Sequence, residues 1–238
     1  MPFEPGDLVI FHGCDWSSRV IEWATFGPSH VGIVCPHEQG VEGVKKVEES
    51  NSSAFSTTST PSTRAAVSGV MPDACGFASA EGGSPRDMLL FESTTLCDEP
   101  CVLTGKHTSG VQAHEPLSRI ASYPGDVALL RLTPAWRLHP REVDLLHDWL
   151  MRVASEPYDL RGALASGTRL FKWTALMPYP DLESLFCSEL CAAALMRLQR
   201  LPLSHPGLYN PASLVRAVRR CGTYGAPRRL RKFEECLA

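Results

Sequence analysis

The sequence has no run of about 18 apolar residues, the length a membrane-spanning helix needs. Its first residues, Met1-Pro2-Phe3-Glu4-Pro5, show neither the basic stretch nor the apolar stretch of a secretory leader. The expectation is a soluble, cytoplasmic protein. An excess of one charge is lacking as well: 23 Lys and Arg against 26 Asp and Glu leave a net charge of -3, which makes no general case for nucleic acid as a partner. Cysteine is present but unpatterned. Nine copies, an odd number at irregular spacing, do not make a disulfide framework. Cys97/Cys101 and Cys187/Cys191 are CxxxC pairs without the CxxC or histidine spacing of a zinc site. Reduced thiols are expected, with no metal and no cofactor.

What remains is enough for one sizeable core. A chain of 238 residues, 44% hydrophobic and 21% charged, reads as a single globular domain over 1–238. Its character breaks between His37 and Asp87. Residues 50–63 are mostly Ser and Thr, with Asn51, Pro61 and a single aromatic, Phe55, and the segment after them is rich in Ala, Gly and Pro. Such a composition buries too little apolar area to offset its ordering entropy, so residues 40–86 are expected to be a largely disordered insertion.

Either side of it, apolar runs bounded by turn residues predict strands: Leu8 to Phe11 after Pro5-Gly6-Asp7, Ser29-His30-Val31-Gly32-Ile33-Val34, Met88 to Ser93, and Asp126 to Leu132 after Tyr123-Pro124-Gly125. Weaker strand candidates lie around Val102 and Val111. Ser17 to Phe26 reads as a short amphipathic helix. Pro140 opens a longer one to about Ser155, with Val143, Leu146, Leu150 and Val153 on one face. Residues 167–180, with Phe171, Trp173, Leu176, Met177 and Tyr179, are too apolar for an ordinary exposed loop and either line a pocket or cap the core. Asn210-Pro211 starts a last helix through Arg220. The tail carries Arg219, Arg220, Arg228, Arg229, Arg231 and Lys232, a solvated basic end by default and otherwise a contact for anionic membrane lipid.

The chain is organised around Leu185-Phe186-Cys187-Ser188-Glu189-Leu190-Cys191 and the apolar run Ala192 to Met196. At helical period Leu190, Cys191, Ala194, Leu195 and Leu198 share a face, with Glu189, Arg197 and Arg200 on the others, so a helix is predicted from near Ser184 to before Pro202. Cys187 falls in its first turn, where unpaired backbone N–H groups and the helix dipole stabilise a thiolate. A cysteine at the start of an apolar helix is equally a small core residue, and a histidine at the head of a strand is equally one bonded to a nearby carbonyl. The single motifs leave both readings open.

Their combination is more specific. Pro157-Tyr158-Asp159-Leu160-Arg161-Gly162 followed by Phe186-Cys187-Ser188-Glu189-Leu190 resembles the nucleophile region of NlpC-type papain-like peptidases, where a PY-x-x-GG-like stretch precedes a CSGL or CSEL helix. Pro5 to Phe11 and Ser29 to Val34 look like that family's GDLVFF and HVGIY strands, the second carrying the catalytic histidine. Histidine comes before cysteine here, which resembles the circularly permuted branch of the superfamily, whose relatives include the lecithin:retinol acyltransferase type and a class of ubiquitin-like isopeptidases. The likeness covers residues 5–34, 88–132 and 140–220. It departs from the usual pattern in having the single Gly162 for a glycine pair and Ser188-Glu189 for Ser-Gly, the latter a variation that permuted members share.

The resemblance implies an α+β, papain-like fold, a small antiparallel sheet or partial barrel packed on helices that include the nucleophile helix. It implies Cys187 as nucleophile, His30 as general base, Glu92 as the acceptor that orients the imidazole, and Tyr158 beside the oxyanion. Asp126 and Asp15 are the rivals of Glu92. Glu92→Gln is expected to lower the rate with little change in stability. Three function classes follow: a thiol hydrolase acting on a peptide, isopeptide or lipid-linked amide; a thiol acyltransferase or lipase acting on lipid acyl groups; and a binding module without turnover.

Overall fold

The computed structural model describes residues 3–14, 22–23, 27–37, 88–95, 97, 99–158 and 185–231. The insertion at 40–86, most of the helix predicted over 17–26, Asp15, the aromatic segment 167–180, Ser184 and Lys232 lie outside the described residues. The chain divides into a main unit, Met1–His37 with Gly82–Ala238, and a second unit, Glu38–Glu81, that is wholly outside them.

Among the described residues six strands form one sheet: β1 (Leu8–Gly13), β2 (His30–Pro36), β3 (Met88–Thr94), β4 (Gly110–His114), β5 (Gly125–Leu130) and β6 (Arg228–Arg231), in the order β4-β3-β2-β1-β5-β6. Every pairing is antiparallel. Among the described residues four α-helices complete the α+β architecture: α1 (Pro116–Ser122), α2 (Pro140–Val153), α3 (Cys187–Arg197) and α4 (Pro211–Arg220). Among the described residues no helix is long and apolar enough to cross a membrane.

Strand residues alternate between the two faces, and both faces are buried, which is why the central strands read as continuous apolar runs. Leu8, Ile10, Val31, Ile33, Leu89 and Phe91 point into the larger core with Leu146 and Leu150 of α2, Leu190 and Leu195 of α3, and Leu214 and Val218 of α4. Val9, Phe11, Val34, Leu90, Val127 and Leu129 point into a smaller core with Phe3, Ile120 of α1, and Tyr123. Gly32 lets β2 and β3 approach: a Cβ there would meet Leu90 Cδ1 and the Phe91 carbonyl oxygen, each at 2.9 Å.

Several expectations are corrected. Helix α3 begins at Cys187 with Phe186 as its N-cap, and is buried on all sides from Cys187 through Met196, Glu189 included. The larger core surrounds it, so it has no polar face. Arg200, expected on an outer face, is buried and donates to the carbonyls of Trp136 (2.9 Å) and Leu198 (2.6 Å) and to Glu142 (2.7 Å). Val102 lies in a turn and is half-exposed, whereas Val111 is in β4. The basic end is in part an edge strand. Arg231 donates to the carbonyls of Ile120, Ala121 and Tyr123 at 2.9, 2.5 and 2.8 Å, tying β6 to the end of α1. Among the described residues six cysteines are free, as expected of reduced thiols, whereas Cys14 is disulfide-bonded.

Candidate active site

Cys187 is the first residue of α3 and is 5% exposed. Hydrogen bonds hold this helix start from three sides. The Ser93 hydroxyl of β3 donates to the Leu185 carbonyl at 2.5 Å, the Leu185 N–H donates to the Pro157 carbonyl at 3.0 Å, and the Ser188 hydroxyl donates to the Tyr209 carbonyl at 2.7 Å. The helical ladder begins with the Leu190 N–H on the Phe186 carbonyl, at 3.0 Å. Phe186 offers no side-chain cap, so capping leaves the dipole's positive end at Cys187 unblunted.

His30 heads β2 and lies on the smaller-core face, with its ring 5.4 Å from that of Phe11. Glu92, two positions beyond Leu90 on β3, shares that face by strand parity. Its Oε2 lies 2.6 Å from His30 Nε2. The Cys187 sulfur is near enough to His30 to act on its proton affinity. With Nε2 engaged by Glu92, Nδ1 is the nitrogen left for the sulfur. The structure therefore brings Cys187, His30 and Glu92 into one cluster. Asp126, on β5 across from His12, has Arg229 at 3.9 Å as a counter-charge and is not in that cluster.

Tyr158 follows a segment threaded between β4 and α3. The Val111 N–H donates to the Glu156 carbonyl at 2.8 Å and the Ser155 N–H to the Val111 carbonyl at 2.9 Å. Gly110 is required there, with φ of 129° and no room for a Cβ, which would stand 2.0 Å from the Glu156 carbonyl oxygen. With Pro157 paired to Leu185, the backbone of Tyr158 is held near the start of α3.

Glu92 has further partners that the sequence did not disclose. Arg119 on α1, 6% exposed, donates from Nε to Glu92 Oε1 at 2.5 Å, and from Nη2 to Oε2 at 3.5 Å. Its guanidinium carbon lies 5.5 Å from the Phe11 ring centroid and 5.2 Å from that of Tyr123, so the cation is held by aromatic faces as well as by the carboxylate. Glu115 caps α1, accepting from the N–H groups of Leu117 (3.2 Å) and Ser118 (2.6 Å), and so fixes the helix that delivers Arg119. A basic residue in a short capped helix between two strands was the signal available.

The charges follow from these contacts. Burial works against ionising Glu92, but the hydrogen bond and charge of His30, and then Arg119, outweigh it and hold the carboxyl at about 2. Burial likewise works against a charged His30, but the neighbouring Cys187 sulfur and then Glu92 raise it to about 9. At neutral pH the histidine is an imidazolium beside the Glu92 carboxylate. Burial pushes Cys191, one turn along α3, far above the ordinary thiol range, so that sulfur stays protonated.

Two surface cavities lie elsewhere. One of about 320 Å³ is lined by Ile10, His12, Pro28, Asp126 and Arg229 among others, and one of about 250 Å³ runs between α2 and α3 at Trp149 and Arg197. Neither is lined by Cys187, His30 or Glu92.

No family model matches the chain, and no curated protein matches it. Among solved structures, the one described as the metalloprotein yiiX from Escherichia coli O157:H7, a DUF1105 protein, aligns over 98% of each chain at 13% identity with a TM-score of 0.49. That likeness is too slight to carry fold family or chemistry across.

Proposed function

We propose that this chain is a papain-like cysteine hydrolase of the circularly permuted NlpC type, which cleaves an amide bond in a peptide, an isopeptide or a lipid-linked amide. The observation that supports it most is the placement of His30 between the Cys187 sulfur and Glu92, with 2.6 Å to the carboxylate. In this reading the Cys187 thiolate attacks the carbonyl carbon, and the oxyanion is met by the Cys187 N–H and the Tyr158 hydroxyl. The His30 imidazolium gives its proton to the departing amine as the C–N bond breaks, leaving a thioester on Cys187 and a neutral imidazole. Water then attacks the thioester and His30 takes its proton. The C–S bond breaks, the carboxylic acid leaves, and the thiolate–imidazolium pair is restored. Glu92 holds the ring and favours its charged form, while Arg119 holds Glu92.

The test uses iodoacetamide at neutral pH, with modified thiols located by mass spectrometry and the exposed Cys221 as internal control. Cys187 is expected to label first despite its burial, and a thioester formed with an amide substrate should be captured by hydroxylamine as a hydroxamate. Acyl transfer to an added alcohol at the expense of hydrolysis would turn the assignment toward an acyltransferase. Labelling of Cys187 no faster than Cys221, together with no hydroxamate, would leave a binding module.

A further inference from the structure

The polar row on the smaller-core face continues beyond Glu92. His114 of β4 is 1% exposed, and its Nε2 lies 3.6 Å from Glu92 Oε1 and 3.5 Å from the sulfur of the half-buried Cys97. The carboxylate oxygen, the sulfur and the imidazole nitrogen all fall within 4.8 Å of one another, the one such grouping of His, Cys, Asp and Glu found among the described residues. No single proton bridges both contacts of Nε2, whereas a cation among the three atoms would meet the sulfur, the imidazole nitrogen and the carboxylate oxygen together, with the ring proton on the buried Nδ1.

The spacing suits a particular ion. Tetrahedral zinc, with bonds of about 2.3 Å to sulfur and about 2.0–2.1 Å to nitrogen or oxygen, separates its sulfur and nitrogen ligands by about 3.6 Å and its nitrogen and oxygen ligands by about 3.4 Å. The corresponding distances here are 3.5 and 3.6 Å. Thiolate, imidazole and carboxylate are donors that zinc accepts, and three protein ligands leave a fourth position open. The ligands sit at positions 92, 97 and 114, outside any zinc spacing in the sequence, because the sheet assembles two of them from adjacent strands.

We propose that Cys97, His114 and Glu92 form a binding site for Zn²⁺ or a similar divalent cation, and that its occupation inhibits the chemistry at Cys187. Binding displaces the Cys97 thiol proton to solvent and forms the sulfur–metal bond. The Glu92 carboxylate, whose Oε2 holds the His30 ring at 2.6 Å, is then shared with the metal, and the ring loses part of the anchor that positions it. The inhibition rests on the function proposed above, but the binding does not.

Binding is tested in protein carrying Cys187→Ser, which removes the rival sulfur ligand, with Co²⁺ as the spectroscopic probe. One equivalent should produce a thiolate-to-cobalt charge-transfer band in the near ultraviolet, lost when Cys97→Ser is added. No band, or a band that survives Cys97→Ser, would overturn the site. Should Cys97→Ser prevent folding, Zn²⁺ must instead protect Cys97 from iodoacetamide while leaving the exposed Cys221 reactive; equal labelling of Cys97 with and without zinc would overturn it too. For the inhibition, Zn²⁺ should slow turnover of the native chain, and Cys97→Ser should relieve most of that loss. A chain that binds cobalt but shows no turnover would count against the hydrolase and not against the site.

Discussion

Replacing Glu92 by Gln removes a charge and keeps a shape, and the surroundings of that carboxylate set what the change costs. Glu92 is fully buried and lies 2.5 Å from Arg119 Nε and 2.6 Å from His30 Nε2. A carboxyl held at about 2 against an ordinary 4.5 prefers its charged form by about 3 kcal/mol, at about 1.4 kcal/mol for each tenfold in proton affinity. An independent figure is similar: breaking a buried ion pair from one side costs roughly 3–5 kcal/mol, because the surviving charge is left uncompensated. At about 2–4 °C per kcal/mol for a chain of this length, Glu92→Gln should lower Tm by roughly 6–12 °C at pH 7. The expectation of little change in stability is therefore revised. Adding Arg119→Met to Glu92→Gln should recover part of the loss, since the orphaned cation is then gone. The contribution of a depressed carboxyl is present above its unfolded value and is lost as pH falls through the folded one. The gap between parent and variant should thus close between pH 4.5 and about 2. Thermal melts across that range check it; a variant within 2 °C of the parent at pH 7 would refute the reasoning.

Two further outcomes are expected. Because His30 is raised from 6.5 to about 9, the stability its charged form contributes is complete below pH 6.5 and is lost as pH rises through about 9, and if the chain is the hydrolase proposed above, the alkaline limb of kcat/KM should fall there and move to lower pH in Glu92→Gln; a limb unmoved by that substitution would speak against the pairing. Gly32→Ala puts a methyl group 2.9 Å from Leu90 Cδ1 and from the Phe91 carbonyl oxygen, so it should cost about 1–3 kcal/mol in denaturant titrations and also slow turnover by displacing β2 against β3; unchanged stability would show the strands to be looser than described.

Much of this arrangement was legible in the sequence. Strands β1, β2, β3 and β5 announce themselves as apolar runs between turn residues, and the contact of Glu92 with His30 follows from strand parity once both strands are in place. Arg119 did not announce itself. In a seven-residue helix an arginine reads as a surface residue, and only the tertiary approach of Glu92, Phe11 and Tyr123 buries it. Strand β6 was hidden for the opposite reason: Arg228 to Arg231 has no hydrophobic period, and it pairs as a strand because β5 would otherwise present a bare edge. The polar face expected on α3 fails because amphipathicity is read against solvent, and this helix meets protein on every side through Met196.

Cys187 belongs to the larger core, whereas His30 and Glu92 stand in the row beneath α1 on the other side of the sheet. The sulfur and the imidazole are thus carried on opposite faces of one sheet. A change in α2 or α4 reaches the imidazole only through the sulfur, which contributes to raising it, while a change in α1 reaches it through Arg119 and Glu92 without touching the helix that bears the sulfur. The proton affinity of His30 therefore answers to both cores, and the smaller one can retune it alone.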